Sequence, residues 1–191
     1  MAEEHGCPVY GPAGEPIEAV TVPLAEGATL EVPGLGACFR VLDIPGHTAG
    51  HIAYEGHGII FCGDTLFSAG CGRLFEGTAE QMCRSLAKLA ALPDDTRVCC
   101  GHEYTLGNLK FAGILEPDNR DVWDYAEECA ARRGRGEPTL PSRLGLERRV
   151  NPFLRCQVAA VREAARQRLG REPADAVEVF ATIRAWKDGF S

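Results

Sequence analysis

The feature that most constrains this chain is a junction used repeatedly. An apolar run stops at a glycine and hands over to an imidazole or a carboxylate. Val41–Gly46 leads into His47-Thr48-Ala49-Gly50-His51, Ile59–Gly63 leads into Asp64-Thr65, and Val98–Gly101 leads into His102-Glu103. Short β-branched and apolar runs bounded by Gly and Pro read as strands. A side chain issued from a strand end is held on a rigid element. Three such ends predict that His47, Asp64 and His102 form one constellation. Singly, each has a plainer explanation: His47 as the cap of a turn, His51 as a satisfied core histidine, Asp64 in an Asx-turn, His102 as a buried strand-end residue. The combination is what argues for chemistry. His5 and His57 fall in loop sequence and carry no assigned role.

The chain has 191 residues, enough for a sizeable core in one domain or a domain with an appendage. Its formal charge of −7 argues against a nucleic-acid or membrane-surface binder, although arginines cluster beyond residue 130. No apolar stretch reaches the roughly 18 residues of a membrane span. The opening MAEEHG is acidic and lacks the basic and apolar regions of a signal peptide. Nine cysteines, an odd number with no CxxC pair, read as reduced buried thiols in a cytoplasmic protein rather than a disulfide framework.

Residues 1–46 read as short strands, with His51–Tyr54 and Ile59–Cys62 forming a hairpin across Glu55–Gly58. Gly70, Gly72 and Gly77 suggest an irregular loop wrapped close to a site. Thr78-x-x-Gln81 is a capping box that opens a helix, and strand Arg97–Cys100 follows. Beyond His102 no strand is evident. Helices are expected over Leu109–Leu115, Val122–Ala131, Val158–Leu169 and Ala174–Lys187, with Gly136–Asn151 as a loop. The expected organisation is a β-rich unit over residues 1–110 and an all-helical region over 111–191.

Imidazoles and a carboxylate without paired thiols suit Zn, Fe or Mn rather than a structural Cys site. A carboxylate between two histidine-bearing strand ends can bridge two cations about 3.5–4 Å apart, which acidify a shared water and polarise a carbonyl.

Gly46–His51, Phe61–Phe67, Gly70–Thr78, Gly101–Thr105 and Arg184-x-x-Lys187 together resemble glyoxalase II, the hydroxyacylglutathione hydrolase of the metallo-β-lactamase fold, in its bacterial form. The resemblance implies an α/β, metallo-β-lactamase-like αββα sandwich followed by an all-helical C-terminal region. It implies two divalent metal ions, Zn with Fe or Mn as alternatives. His47 would ligate the first, Asp64 would bridge both, and His102 would ligate the second. Arg73, Phe75 and Tyr104 would line a glutathione site, with Phe75 lacking the phenolic hydroxyl some relatives carry there. Arg184 and Lys187 would pair with glutathione's carboxylates. Without the resemblance these two read as a solvated basic helix end.

The activity implied is hydrolysis of S-(2-hydroxyacyl)glutathione, typically S-lactoylglutathione, by metal-bound hydroxide. This is the second step of methylglyoxal detoxification, carried out by a cytoplasmic monomer on a small-molecule partner. The family's further motif, Thr-His-x-His-x-Asp-His, does not occur in the sequence. The chain is therefore expected to be an amino-terminally truncated form, with its first strands missing and weak metal binding and activity of its own. Two alternatives stand beside this: an inactive remnant that binds glutathione, and a glutathione-persulfide dioxygenase of the same fold.

Overall fold

In the computed structural model, residues 6–32 and 34–190 are described; His5 lies outside them. The order is β1 (Tyr10–Pro12), β2 (Val22–Leu24), β3 (Thr29–Val32), β4 (Ala37–Asp43), β5 (Ile52–Gly56), β6 (Ile59–Gly63), β7 (Leu66–Phe67), β8 (Gly70–Cys71), α1 (Ala79–Ala90), β9 (Arg97–Cys100), α2 (Thr105–Leu115), α3 (Arg120–Gly134), β10 (Ser142–Arg143), α4 (Leu144–Val150), a 3-10 turn at Pro152–Leu154, α5 (Ala159–Leu169) and α6 (Ala176–Asp188).

Six strands form one mixed sheet in the order β10-β9-β6-β5-β4-β3. The pairs β4–β5 and β5–β6 are antiparallel and β6–β9 is parallel. Strands β4, β6 and β9 therefore run the same way, and their C-terminal ends emerge on one edge of the sheet. That topology places the three glycine junctions side by side.

Period-two alternation decides the faces. Leu42, Ala53, Ile60, Cys62 and Val98 point into a core closed by Met82, Leu86 and Leu89 of α1 and by Val179, Phe180 and Ile183 of α6. The opposite face carries Phe61, which is 43% exposed and meets Phe39 edge-on. Helix α1 starts as its sequence dictates: the Thr78 side chain accepts from the Gln81 amide, and the Gln81 side chain accepts from the Thr78 amide. A smaller cluster, Leu109, Ala112, Val122, Tyr125, Cys129 and Val150, joins α2, α3 and α4.

The mixed α/β unit with a helical C-terminal region agrees with the sequence, and none of the nine cysteines forms a disulfide, although Cys7 and Cys38 are exposed rather than buried. Among the described residues no helix is long and apolar enough to cross a membrane. Two corrections concern residues 136–151. The expected loop contains α4, and Ser142–Arg143 pairs antiparallel with β9. Seven residues reading LGLERRV carry too little helical pattern to nucleate alone. The helix exists because Leu144, Glu147 and Val150 are fully buried against the rest of the chain. The glycine-rich loop after Asp64 likewise holds a two-residue ladder, β7 with β8.

Candidate active site

At the shared strand edge, His47 and His102 converge on one atom. Nε2 of His47 lies 3.5 Å and Nε2 of His102 lies 3.4 Å from Asp64 Oδ2. His47 Nδ1 is 2.8 Å from the Arg73 carbonyl, which can only accept, so Nδ1 carries the proton. In the neutral ring, Nε2 then turns a lone pair toward a carboxylate oxygen. Two electron-rich atoms so placed suit a cation between them, and a ring nitrogen donating to a carbonyl is the usual support of a metal-ligating histidine.

The donors fit a divalent cation in kind. In number they are few, since among the described residues no fourth His, Cys, Asp or Glu side chain joins these three.

His51 takes a different part. Its Nε2 accepts from the Asp64 backbone amide at 3.3 Å, so it braces the carboxylate-bearing residue from behind. Burial holds its pKa below the ordinary imidazole value, and neighbouring His47 lowers it further, which suits a neutral acceptor. His57, in the exposed hairpin turn, accepts from the Cys38 amide.

Glycines make these approaches possible. A Cβ on Gly101 would lie 2.4 Å from Asp64 Oδ1, and one on Gly72 would lie 1.9 Å from the Asp64 carbonyl. Gly63 has a φ of +50°, and a Cβ there would sit 2.4 Å from His51 Nε2.

The three residues stand in a cleft of about 820 Å³. Arg73, Phe75, Tyr104, Arg184 and Lys187 all line it, alongside Glu103 and Arg133. Tyr104 stacks on His102 with ring centroids 5.1 Å apart. Phe75 is 69% exposed and tilts against His47 at 4.8 Å. Lys187 Nζ donates to the Gly107 carbonyl at 3.3 Å, and burial followed by the nearby Arg184, Lys110 and Arg73 lowers its pKa.

Arg184 is not the free cation the sequence suggests. It is 6% exposed, donates to the Cys71 carbonyl at 2.7 Å, and lies over the Phe153 ring.

A second group of polar residues, unmarked in the sequence, holds the site loop. Buried Glu147 accepts from Ser68 Oγ (2.9 Å), the Ala69 amide (2.8 Å) and Asn151 Nδ2 (3.1 Å). Asn151 also donates to the Phe67 and Gly70 carbonyls, and Asn108 donates to the Ser68 carbonyl. Ala69 sits at a φ of +54°, a conformation these bonds hold in place. The hairpin they grip continues into Gly72 and Arg73, which support Asp64 and His47. No periodicity or motif marks these residues; their partners lie far away in the chain.

Two family profiles match: "Metallo-beta-lactamase superfamily" over residues 2–102 and "Hydroxyacylglutathione hydrolase C-terminus" over residues 103–190. A protein from Nitrosomonas eutropha named hydroxyacylglutathione hydrolase is 54% identical over 190 residues, covering 100% of this chain and 74% of that protein. Among solved structures, ETHE1 from Myxococcus xanthus superposes with a TM-score of 0.59 at 24% identity, covering 97% of this chain and 68% of that one. TTHA1623, crystallised in a di-iron-bound form, gives 0.51 at 27% identity, covering 80% and 68%.

Proposed function

Because the chain belongs to the hydroxyacylglutathione hydrolase family of the metallo-β-lactamase superfamily, we propose that its cleft takes the thioester of glutathione with a 2-hydroxy acid and directs water onto the thioester carbonyl. The observation that carries this reading is the approach of two imidazoles to one Asp64 oxygen, in a cleft whose other end is cationic. His47, Asp64 and His102 would hold divalent metal, with Asp64 shared between two ions and one imidazole for each. Zinc fits this donor set, and iron fits it equally; a relative of the same fold carries two irons. Metal bound there supplies Lewis acidity, acidifying water and polarising the carbonyl.

The chain's own residues do the rest. Lys187 and Arg73 attract the tripeptide's carboxylates. Phe75 and Tyr104 flank the imidazoles of His47 and His102 with apolar surface. His51 and the Arg73 carbonyl fix the aim of Asp64 and His47. No side-chain nucleophile is required, and the buried Cys71 thiol, pushed up to about 12 mainly by burial, is unsuited to be one.

In this proposal residues 1–110 bear the metal and part of the substrate site, and residues 111–191 complete the glutathione-binding end, in a cytoplasmic monomer acting in methylglyoxal detoxification. The test is release of glutathione from S-lactoylglutathione by the purified 191-residue chain, with zinc or iron(II) added and with chelator. Metal-dependent release that Asp64→Ala abolishes supports the reading. Glutathione binding without release in saturating metal favours the second reading, a binding protein without turnover, which the incomplete donor shell supports. Oxygen consumption on glutathione persulfide in place of thioester hydrolysis would refute both.

A further inference from the structure

Helix α6 ends against its own electrostatics. Asp188 is its last residue, where the macrodipole places negative partial charge and favours cations. What offsets that placement is contact with the cationic end of the cleft. One oxygen, Oδ1, lies 3.1 Å from Arg184 Nη2 and 3.5 Å from Arg73 Nε. A single carboxylate oxygen thus serves two of the guanidiniums that line the cleft.

The two arginines are not equivalent. Arg184 is buried and tied to the Cys71 carbonyl and the Phe153 ring, so it cannot swing toward a ligand without losing both contacts. The Arg73 side chain is 61% exposed, and that of Asp188 is 42% exposed. The parts free to rearrange are therefore Arg73 and Asp188. Lys187, adjacent on the helix, completes a crowd of positive charge with one carboxylate at its back. Glu103, the other carboxylate of the cleft besides Asp64, is engaged by Arg133 at 3.3 Å.

We propose that Asp188 is a built-in counter-ion that sets the affinity of the cleft for anionic ligands. In the free protein it holds Arg73 beside Arg184, and a ligand carboxylate must draw Arg73 away from it. Its charge also subtracts from the positive potential the ligand meets. This rests on the glutathione reading and adds a determinant of affinity that is itself no ligand of the substrate.

Neutralising Asp188 should strengthen anion binding. Removing one unit charge about 6 Å from a ligand carboxylate, in an effective dielectric of about 40–80, corresponds to a threefold to tenfold gain. The experiment is calorimetric titration of reduced glutathione into the purified chain and into Asp188→Asn, at low salt and at about 1 M salt, where the screening length falls to about 3 Å. Asp188→Ser repeats the measurement without a side-chain amide. Both variants are expected to bind glutathione threefold to tenfold more tightly at low salt, with the gain vanishing at high salt. Wild-type binding with equal or weaker binding by both variants overturns the inference and leaves the glutathione reading intact, as does a gain that persists at high salt. Absence of binding by all three proteins overturns the glutathione reading and this inference with it.

Discussion

Replacing Glu147 separates the polar grip on the site loop from the packing around it. The side chain is fully buried, and Glu147→Ala leaves the Ala69 amide without its acceptor. Ser68 keeps Tyr125, and Asn151 keeps the Phe67 and Gly70 carbonyls. One orphaned buried amide costs about 1–3 kcal/mol, and an unfilled space of this size adds about 2 kcal/mol. Relief of the carboxylate's own desolvation offsets part of this, so the expected net loss is about 2–4 kcal/mol.

Glu147→Gln should cost less than about 1 kcal/mol. Its carbonyl oxygen can take the Ala69 and Asn151 donors while its amide donates to Ser68, whose hydroxyl proton turns to Tyr125. Urea unfolding reads the difference. With a slope of about 1–3 kcal/mol per molar, the Ala variant should lose roughly 1 M or more in midpoint.

The pH dependence gives a second readout. Burial raises the folded pKa of Glu147 above its ordinary 4.5, against the donors that lower it. The folded protein then holds this proton more tightly than the unfolded chain. Stability falls as pH rises from about 4.5 through the raised value, and the full penalty remains above it. The Gln variant lacks that decline, so its stability relative to wild type should increase with pH across this window. An Ala variant within about 1 kcal/mol of wild type, or parallel pH profiles for wild type and Gln, would refute the reasoning.

Three further substitutions probe other parts of the site. Gly72→Ala places a methyl group against the Asp64 carbonyl; it should cost about 1–3 kcal/mol by overpacking and weaken zinc retention in equilibrium dialysis, whereas unchanged stability and retention would show that the strand end yields freely. Thr78→Ala removes half of the α1 capping box and should lower the urea-derived stability by about 1 kcal/mol with glutathione affinity unaltered. Lys187→Ala should raise KM for glutathione thioesters at constant kcat with little change in melting temperature, while Arg184→Ala, which vacates the space between Cys71 and Phe153, should lower the melting temperature as well; equal effects on melting would contradict the distinction drawn between them.

Much of the architecture was legible in the chain because it is written locally. Unbroken apolar runs at Ile59–Cys62 and Val98–Cys100, each ended by glycine, mark strands, and Thr78 with Gln81 set a helix start, each needing only near neighbours. The three strand ends were legible too, since glycine followed by His or Asp is a local pattern. Their meeting was decided by topology: β4, β6 and β9 run parallel and so deliver His47, Asp64 and His102 to one edge.

Burial of polar groups was not legible, because it depends on partners distant in sequence. Glu147 sits in a charged heptapeptide that reads as solvated loop, yet it bonds Ser68 and Ala69 across 79 and 78 residues. Arg184 reads as an exposed cation on a helix face, yet it is buried on a carbonyl 113 residues earlier. Asp188, one residue past the expected helix, proves to be shared between two arginines, one of them from the distant site loop. The sequence determined most of the strands and helices and the residues at the three site-bearing strand ends, but not α4, β10 or the β7–β8 ladder. Only the tertiary structure decided which charges are withdrawn from water and what each then holds, because a desolvated charge is stable only where the fold supplies its partner.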